Sequence, residues 1–282
     1  MVKTQVRGLL KGLLVTAGMM GAFAPSAHAA WTFANTANAG STVFNGNAGE
    51  SATLKLSAVS AGNTNFAAAT GASTWSAATL TNQGDSGQGA CSTGDGSSGC
   101  VAPDHAVDNN VNTEAVLLNF SSSVVLKSIG LGWTNSSTSV DMTLFRYVGT
   151  GTPTGTGSPL IGQTAKSMTG WELVGNYGDM IADTTTPYNL VNGQNKGSSW
   201  WMISAYNSGY TGAVGETRGS FEAAADYFKL YGVTASNCVF GSGKCGGSDT
   251  STGVPEPGSL ALAGLALFGV VYTRRQSKAK QV

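Results

Sequence analysis

The chain has 282 residues. Charged residues make up 11% of it, against about 25% in average soluble proteins, and its forty glycines are about twice the usual share of about 7%. A hydrophobic content of 41% excludes a charge-rich disordered chain, and the absence of a three-residue glycine period excludes collagen. Seven of the fifteen basic residues lie at the two ends, whereas all fifteen acidic residues lie between 30 and 257, so the stretch 30–257 has a formal charge near −7. An acidic body does not favour nucleic acid as a partner, because phosphate binding needs clustered cations.

The first 29 residues have the three parts of a signal peptide. Three basic residues within the first eleven positions precede an uncharged, largely apolar stretch at 12–25. Small residues, Ala27 and Ala29, occupy the −3 and −1 positions of a cleavage site before Ala30. The alternative is a membrane anchor, but the apolar run is short for a span of about 20 residues. We therefore predict that signal peptidase removes residues 1–29.

The body at 30–247 is predicted to be all-β. Apolar and polar residues alternate with a period of two, and Gly, Ser and Asn clusters separate the alternating segments. The predicted strands lie at 31–35, 53–60, 73–81, 115–120, 124–133, 140–148, 170–176, 199–206 and 227–234. A short helix is best placed at 221–227. About nine strands at irregular spacing predict an antiparallel β-sandwich or jelly roll.

Four cysteines occur in the exported part of the chain: Cys91, Cys100, Cys238 and Cys245. An even count in an exported chain predicts disulfides, and four cysteines allow three pairings. Proximity favours Cys91–Cys100 and Cys238–Cys245, the first of which staples a polar, glycine-rich loop at 83–103. A zinc site is the alternative, but neither spacing is the short Cys-x-x-Cys type.

A segment at 104–148 carries a family resemblance. It begins with Asp104-His105-Ala106-Val107-Asp108-Asn109-Asn110, followed by two apolar strand segments after Glu114. It resembles a segment of exosortase-dependent surface proteins and, more loosely, discoidin-like and galactose-binding-like jelly rolls. The resemblance implies a β-sandwich of carbohydrate-binding style and does not name a sugar.

The body offers no catalytic motif, and we predict that it is not an enzyme. His105 is the single histidine of the body, and no nucleophile elbow, P-loop or zinc-protease motif accompanies it. No metal site is predicted. Calcium is the open alternative among cofactors, since Asp95-Gly96, Asp104 and Asp108-Asn109-Asn110 offer loop oxygens. A competing hypothesis is a secreted polysaccharide hydrolase or lyase, which requires acids that converge across a cleft.

Aromatic residues suggest a candidate glycan platform. Trp200 and Trp201 are adjacent, so in a strand they face opposite sides, one toward the core and one outward. Trp133 is a further candidate for the same platform. Core packing is the more common role for such side chains.

After a flexible linker at 248–253, the C-terminus has three ordered parts. Pro255-Glu256-Pro257 is followed by an uncharged run at 258–273 and then by Arg274-Arg275. Sixteen helical residues span about 24 Å, which is short of a hydrocarbon core of about 30 Å but sufficient with local thinning. The basic pair predicts a cytoplasmic end for this transmembrane helix.

Residues 254–282 resemble the PEP-CTERM sorting signal of Gram-negative bacteria. The resemblance implies that Pro255, Glu256, Pro257, Arg274 and Arg275 are recognised by exosortase, a membrane-embedded protease-transpeptidase that removes the tail. The precursor would be anchored transiently in the inner membrane, and the product would reach the cell surface or the extracellular matrix. We expect a non-enzymatic protein associated with exopolysaccharide, biofilm or other surface components. A permanently anchored single-pass protein is the alternative.

Overall fold

Strands make up almost all of the regular structure. The computed structural model describes residues 29–34, 43–47, 52–62, 73–95, 100–101, 103, 105–135, 139–150, 153, 160–183, 187–210, 215–222 and 224–238. Within them lie thirteen strands, one 3₁₀ turn at Gly84–Ser86 and no α-helix. The strands are β1 Ala29–Thr32, β2 Val43–Asn45, β3 Thr53–Ala61, β4 Trp75–Asn82, β5 Gln88–Cys91, β6 Val107–Asp108, β7 Thr113–Thr134, β8 Val140–Tyr147, β9 Trp171–Met180, β10 Tyr188–Leu190, β11 Ser198–Ala205, β12 Glu216–Arg218 and β13 Tyr227–Asn237. The all-β prediction is confirmed.

The described strands form one sheet that closes on itself. Its order is β1-β13-β5-β4-β3-β7-β11-β8-β9-β12, while β2, β6 and β10 pair with β3, β13 and β7. Strand β13 also pairs directly with β7, so β13, β5, β4, β3 and β7 make a barrel-like ring. The pairs are antiparallel except for β12 with β9, which is parallel. Closure leaves β7 and β13 without a free edge in this ring.

Strand β7 connects the two halves of the fold. The sequence predicts separate strands at 115–120 and 124–133, and this division is wrong, since β7 runs unbroken over 22 residues. Its first part pairs with β3 and β11, and its second part pairs with β13 and β10. The serines between the two predicted strands keep the ladder occupied: Ser121 Oγ accepts the Thr53 N–H at 2.9 Å, and the Ser123 carbonyl accepts the Cys238 N–H at 3.2 Å.

The sheet buries apolar residues on both faces. Val116, Leu118 and Phe120 of β7 face a large core inside the closed fold, where Trp31 packs edge-on against Phe120 with ring centroids 5.0 Å apart. The intervening Ala115 and Leu117 belong to a second cluster on the opposite face. Residues 160–171, together with Tyr210, supply much of this second cluster. Alternation in β7 therefore separates two apolar clusters rather than core from solvent.

The predicted helix at 221–227 is wrong. Tyr227 begins β13, and the described residues before it are irregular. Their backbone donors bind side chains instead of a helical ladder: Glu222 N–H donates to Asp141 Oδ2, and Asp226 N–H donates to Asn109 Oδ1, both at 2.8 Å. Local side-chain acceptors of this kind compete with helix formation.

Candidate functional site

A cleft of about 860 Å³ opens beside β1, β10 and the paired strands β7 and β13. Two tyrosines form its aromatic wall: the rings of Tyr188 and Tyr231 lie 6.1 Å apart in an edge-to-face arrangement. Its other lining residues are Ala30, Thr32, Asn47, Asp85, Ser86, Leu131, Gly132, Ala182, Asp183 and Pro187. Binding sites commonly combine such an aromatic wall with a few polar groups.

The Tyr188 side chain packs against two glycines, Gly130 of β7 and Gly232 of β13. A Cβ on Gly130 would lie 2.9 Å from the tyrosine ring, and one on Gly232 would lie 2.9 Å from its hydroxyl oxygen. A larger residue at Gly130 would therefore displace the ring, and one at Gly232 would also meet the Trp31 carbonyl oxygen at 2.5 Å. Partial burial in this seat raises the pKa of Tyr188, so the hydroxyl stays protonated and can act as donor and acceptor.

The polar side of the cleft carries acids and an amide. Asn47 bridges to β1: its Oδ1 accepts the Ala30 N–H at 2.7 Å, and its own N–H donates to the Ala30 carbonyl at 3.1 Å. Asp85 and Asp183 also line the cleft. Carboxylates and amides next to aromatic rings suit a ligand that has many hydroxyl groups on an apolar frame, as sugars do.

The three tryptophans of the predicted platform are not on one surface. Trp201 is fully buried in the large core, with its Nε1–H donating to the Ser198 carbonyl at 2.9 Å. Trp200 is half-buried and packs against the second cluster. Trp133 lies toward the other end of β7, where the Lys229 ammonium sits 4.5 Å above its ring. Only Trp200 and Trp133 keep any exposure to a ligand.

Acidic residues from the 104–148 segment gather inside the protein. Asp108 and Glu114 have 2% and 0% of their surface exposed, and their carboxylates interact electrostatically with each other and with Asp95. His105 faces Lys229, with Nε2 and Nζ 3.0 Å apart. Asp104 lies outside the described residues. The two buried acids cannot reach a polysaccharide chain, which a hydrolase of this kind would require.

A second acidic group was not foreseen from the sequence. Asp141 of β8, Asp179 of β9, and Glu222 and Asp226 from the stretch before β13 meet near the start of β8. Asp141 Oδ2 accepts the Glu222 N–H, Asp226 Oδ1 accepts the Asp141 N–H, and Asp179 Oδ2 accepts the Ser220 N–H, at 2.7–2.8 Å. Backbone N–H groups thus donate hydrogen bonds to these carboxylates. The four acids form no motif in the linear sequence from which the group could be predicted.

The cysteine predictions agree with the structure where it describes them. Cys91 and Cys100 form a disulfide with Cα atoms 5.7 Å apart. Cys238 is also disulfide-bonded. Its predicted partner, Cys245, lies outside the described residues. The first bridge closes the loop that carries Asp95.

Both ends of the chain lie outside the described residues. They include residues 1–28, the predicted helix at 258–273 and the sorting residues Pro255, Glu256, Pro257, Arg274 and Arg275. Within the described part of the chain, no helix has the length and apolarity needed to cross a membrane.

Comparison with protein families identifies the C-terminus. The model of the PEP-CTERM protein-sorting motif matches residues 253–276. Comparisons with curated proteins and with solved structures find no match. The chain therefore carries a PEP-CTERM sorting signal, which marks an exported, membrane-transiting protein of Gram-negative bacteria that exosortase processes.

Proposed function

We propose that the body is a non-enzymatic, polysaccharide-binding component of the cell surface or extracellular matrix, released there after exosortase removes the tail. The observation that carries this proposal is the Tyr188–Tyr231 cleft, whose lining also includes Asp85, Asp183 and Asn47. The tyrosine faces offer stacking area, and the carboxylate and amide groups offer acceptors for sugar hydroxyls. The jelly-roll and galactose-binding-like character predicted from residues 104–148 is part of this proposal.

The acids of the 104–148 segment do not support hydrolysis of a polysaccharide. A glycosidase needs two carboxyl groups flanking a bond in an open cleft. The sequence shows no clear pair of this kind. Of the neighbouring acids Asp104, Asp108 and Glu114, the two that the structure describes, Asp108 and Glu114, are buried away from the surface. In this proposal Asp85 and Asp183, the two acids of the cleft, serve as hydrogen-bond acceptors for a bound chain.

A binding assay with cleft variants tests the proposal. The exported protein is titrated with exopolysaccharide purified from the producing bacterium and with a glycan array. Tyr188→Ala and Tyr231→Ala should each weaken binding about tenfold, which corresponds to about 1.4 kcal/mol for one lost stacking partner. Trp200→Ala is the matched control, because it removes an aromatic ring that packs against the second cluster and does not line the cleft.

The outcomes separate the two candidate surfaces. Unchanged affinity in both tyrosine variants, with weaker binding in Trp200→Ala, would move the site to the tryptophan face. No binding by the unmodified protein to any glycan would refute a polysaccharide partner and favour self-association. A deletion of exosortase tests the sorting step separately: the tail should remain attached, and cleavage without exosortase would refute processing.

A further inference from the structure

Glu114 is an acidic residue that is completely buried at one end of the large apolar core. It lies in the second position of β7, opposite Ser60 of β3, and shares the inner face of the sheet with Val116 and Leu118. Its exposure is 0%. An acid at this position lies at the end of the large apolar core, where a carboxylate is costly unless something balances its charge.

Neither oxygen of the Glu114 carboxylate has a hydrogen-bond partner. The side chains of Asp95 and Ser92 interact with the Glu114 carboxyl group and shift its pKa in opposite directions, but neither contact has the geometry of a full hydrogen bond. The charges that act on it are further carboxylates, Asp108 from β6 and Asp95 from the disulfide-closed loop. Two further acids, the buried Asp108 and the half-buried Asp95, thus act on the buried carboxyl group of Glu114.

The second acidic group shows how this chain satisfies buried acids elsewhere. There, Asp226 has 7% of its surface exposed, and it accepts the Asp141 N–H at 2.8 Å and the Asn109 Nδ2–H at 2.9 Å. Asp141 is bound in the same manner by the Glu222 amide. Glu114 has no such donor, so the two acidic groups need different explanations.

We propose that Glu114, Asp108 and Asp95 form a divalent-cation site, and that calcium is the ion that fits it. The donor atoms are all carboxylate oxygens, and Asn112 adds an amide whose Nδ2–H donates to Ser92 Oγ at 2.8 Å beside the site. Oxygen-only donors favour calcium or magnesium over zinc. Calcium is preferred because it tolerates irregular geometry, whereas magnesium requires a near-ideal octahedron.

The Cys91–Cys100 disulfide closes the loop that supplies Asp95. Among the described residues, one group of acids and cysteines has its ligand atoms within 4.8 Å of one another: Cys91, Asp95 and Cys100. Both sulfur atoms of this group are held in the disulfide. The three carboxylates of the proposed site are spaced more widely than this. The proposal therefore requires that a bound ion hold the three carboxylates closer together than they lie in this structure.

Thermal unfolding of the exported protein, with its disulfides intact, tests the site. Extracellular calcium modules bind with Kd values of about 10⁻⁴–10⁻³ M. At 10 mM calcium the Tm should therefore rise by about 3–10 °C over its value in EDTA. Glu114→Gln keeps the shape of the protonated acid, so it should fold, and it should lose most of this shift. Asp95→Asn should reduce the shift while leaving the core intact.

Asp226→Asn is the matched control, because it removes a buried acid from the other group and should keep the calcium shift. Calorimetric titration with calcium should show one site in the unmodified protein and at least tenfold weaker binding in Glu114→Gln. The proposal is overturned if calcium leaves the Tm unchanged, if Glu114→Gln responds as the unmodified protein does, or if Asp226→Asn alone abolishes the shift. An equal shift with magnesium would overturn the assignment to calcium.

Discussion

Asp226 makes the stability of the body depend on pH in a predictable direction. The residue lies directly before β13, and its carboxylate accepts bonds from Asp141 and Asn109. Burial, and secondarily the charges of Asp141 and Glu222, raise its pKa to about 7 from an ordinary value of 3.8, although the hydrogen bonds oppose this rise. Between these two values the folded protein holds a proton that the unfolded chain has released.

The sign and size of the effect follow from this difference. Because the folded-state pKa is raised, the contribution of Asp226 is most favourable below pH 3.8 and is lost as the pH rises to about 7. Each pH unit in this window corresponds to about 1.4 kcal/mol. The contribution of Asp226 to the free energy of unfolding should therefore fall by about 4 kcal/mol between pH 4 and pH 8.

Urea unfolding of the unmodified protein and of Asp226→Asn, at intervals from pH 4 to pH 8, isolates this term. Asparagine does not titrate, and its NH₂ group would face the Nδ2–H donor of Asn109, so a hydrogen bond is lost. The variant should therefore be about 1–3 kcal/mol less stable than the unmodified protein at pH 4. At pH 8 it should be as stable as the unmodified protein or more stable. A stability difference that does not change with pH would refute the raised pKa. A difference that grows with pH would show that the hydrogen bonds stabilise the ionised form.

Three further substitutions test the packing and the polar contacts of the body. Trp31→Ala should lower the free energy of unfolding in urea by about 3–5 kcal/mol, since it leaves a cavity in the core; a loss under about 1 kcal/mol would show that β1 contributes little. Replacing Cys91 and Cys100 with serine should cost about 2–3 kcal/mol in thermal unfolding, because the bridge closes a loop of sequence separation 9, and an unchanged Tm would contradict this. Glu172→Gln should cost about 1–3 kcal/mol, since Glu172 binds Arg146 at 2.6 Å and Lys196 at 2.7 Å; a cost equal in 0.1 M and 1 M salt would argue against an ionic contribution.

Period-two alternation located the long strands because each of them presents different residues to its two faces. The prediction at 53–60 differs from β3 by one residue, and 140–148 differs from β8 by one residue. Strands of two to four residues, such as β6 and β12, are too short to show a period, and long-range pairing defines them. The division of β7 followed from three consecutive serines, which read as a break but whose polar groups bind Thr53 and Cys238 across the sheet.

The candidate cleft was not predictable from local sequence. Tyr188 belongs to a three-residue strand, and its proximity to Tyr231 depends on β10 and β13 both pairing with the second part of β7. Gly130 and Gly232, which seat the ring, are two glycines among forty. Glu114 did carry a local signal, because it is an acid at the head of the apolar run 115–118. The predicted calcium oxygens named its neighbours Asp95 and Asp108 but not Glu114 itself.

The burial of some of the acids lowers the net negative charge that is expected for the folded body. A formal charge near −7 assumes that every acid is ionised and solvated. Burial and nearby carboxylates raise the pKa of Glu114 to about 10, and burial raises that of Asp226 to about 7. The folded body in the absence of divalent ions should therefore carry a smaller negative charge at neutral pH than its composition gives. Unfolding should release protons, and a calorimetric scan in buffers of different ionisation enthalpy measures how many. If calcium replaces the proton at Glu114, the number released should fall when calcium is present, so one measurement connects the charge of the body with its proposed ion.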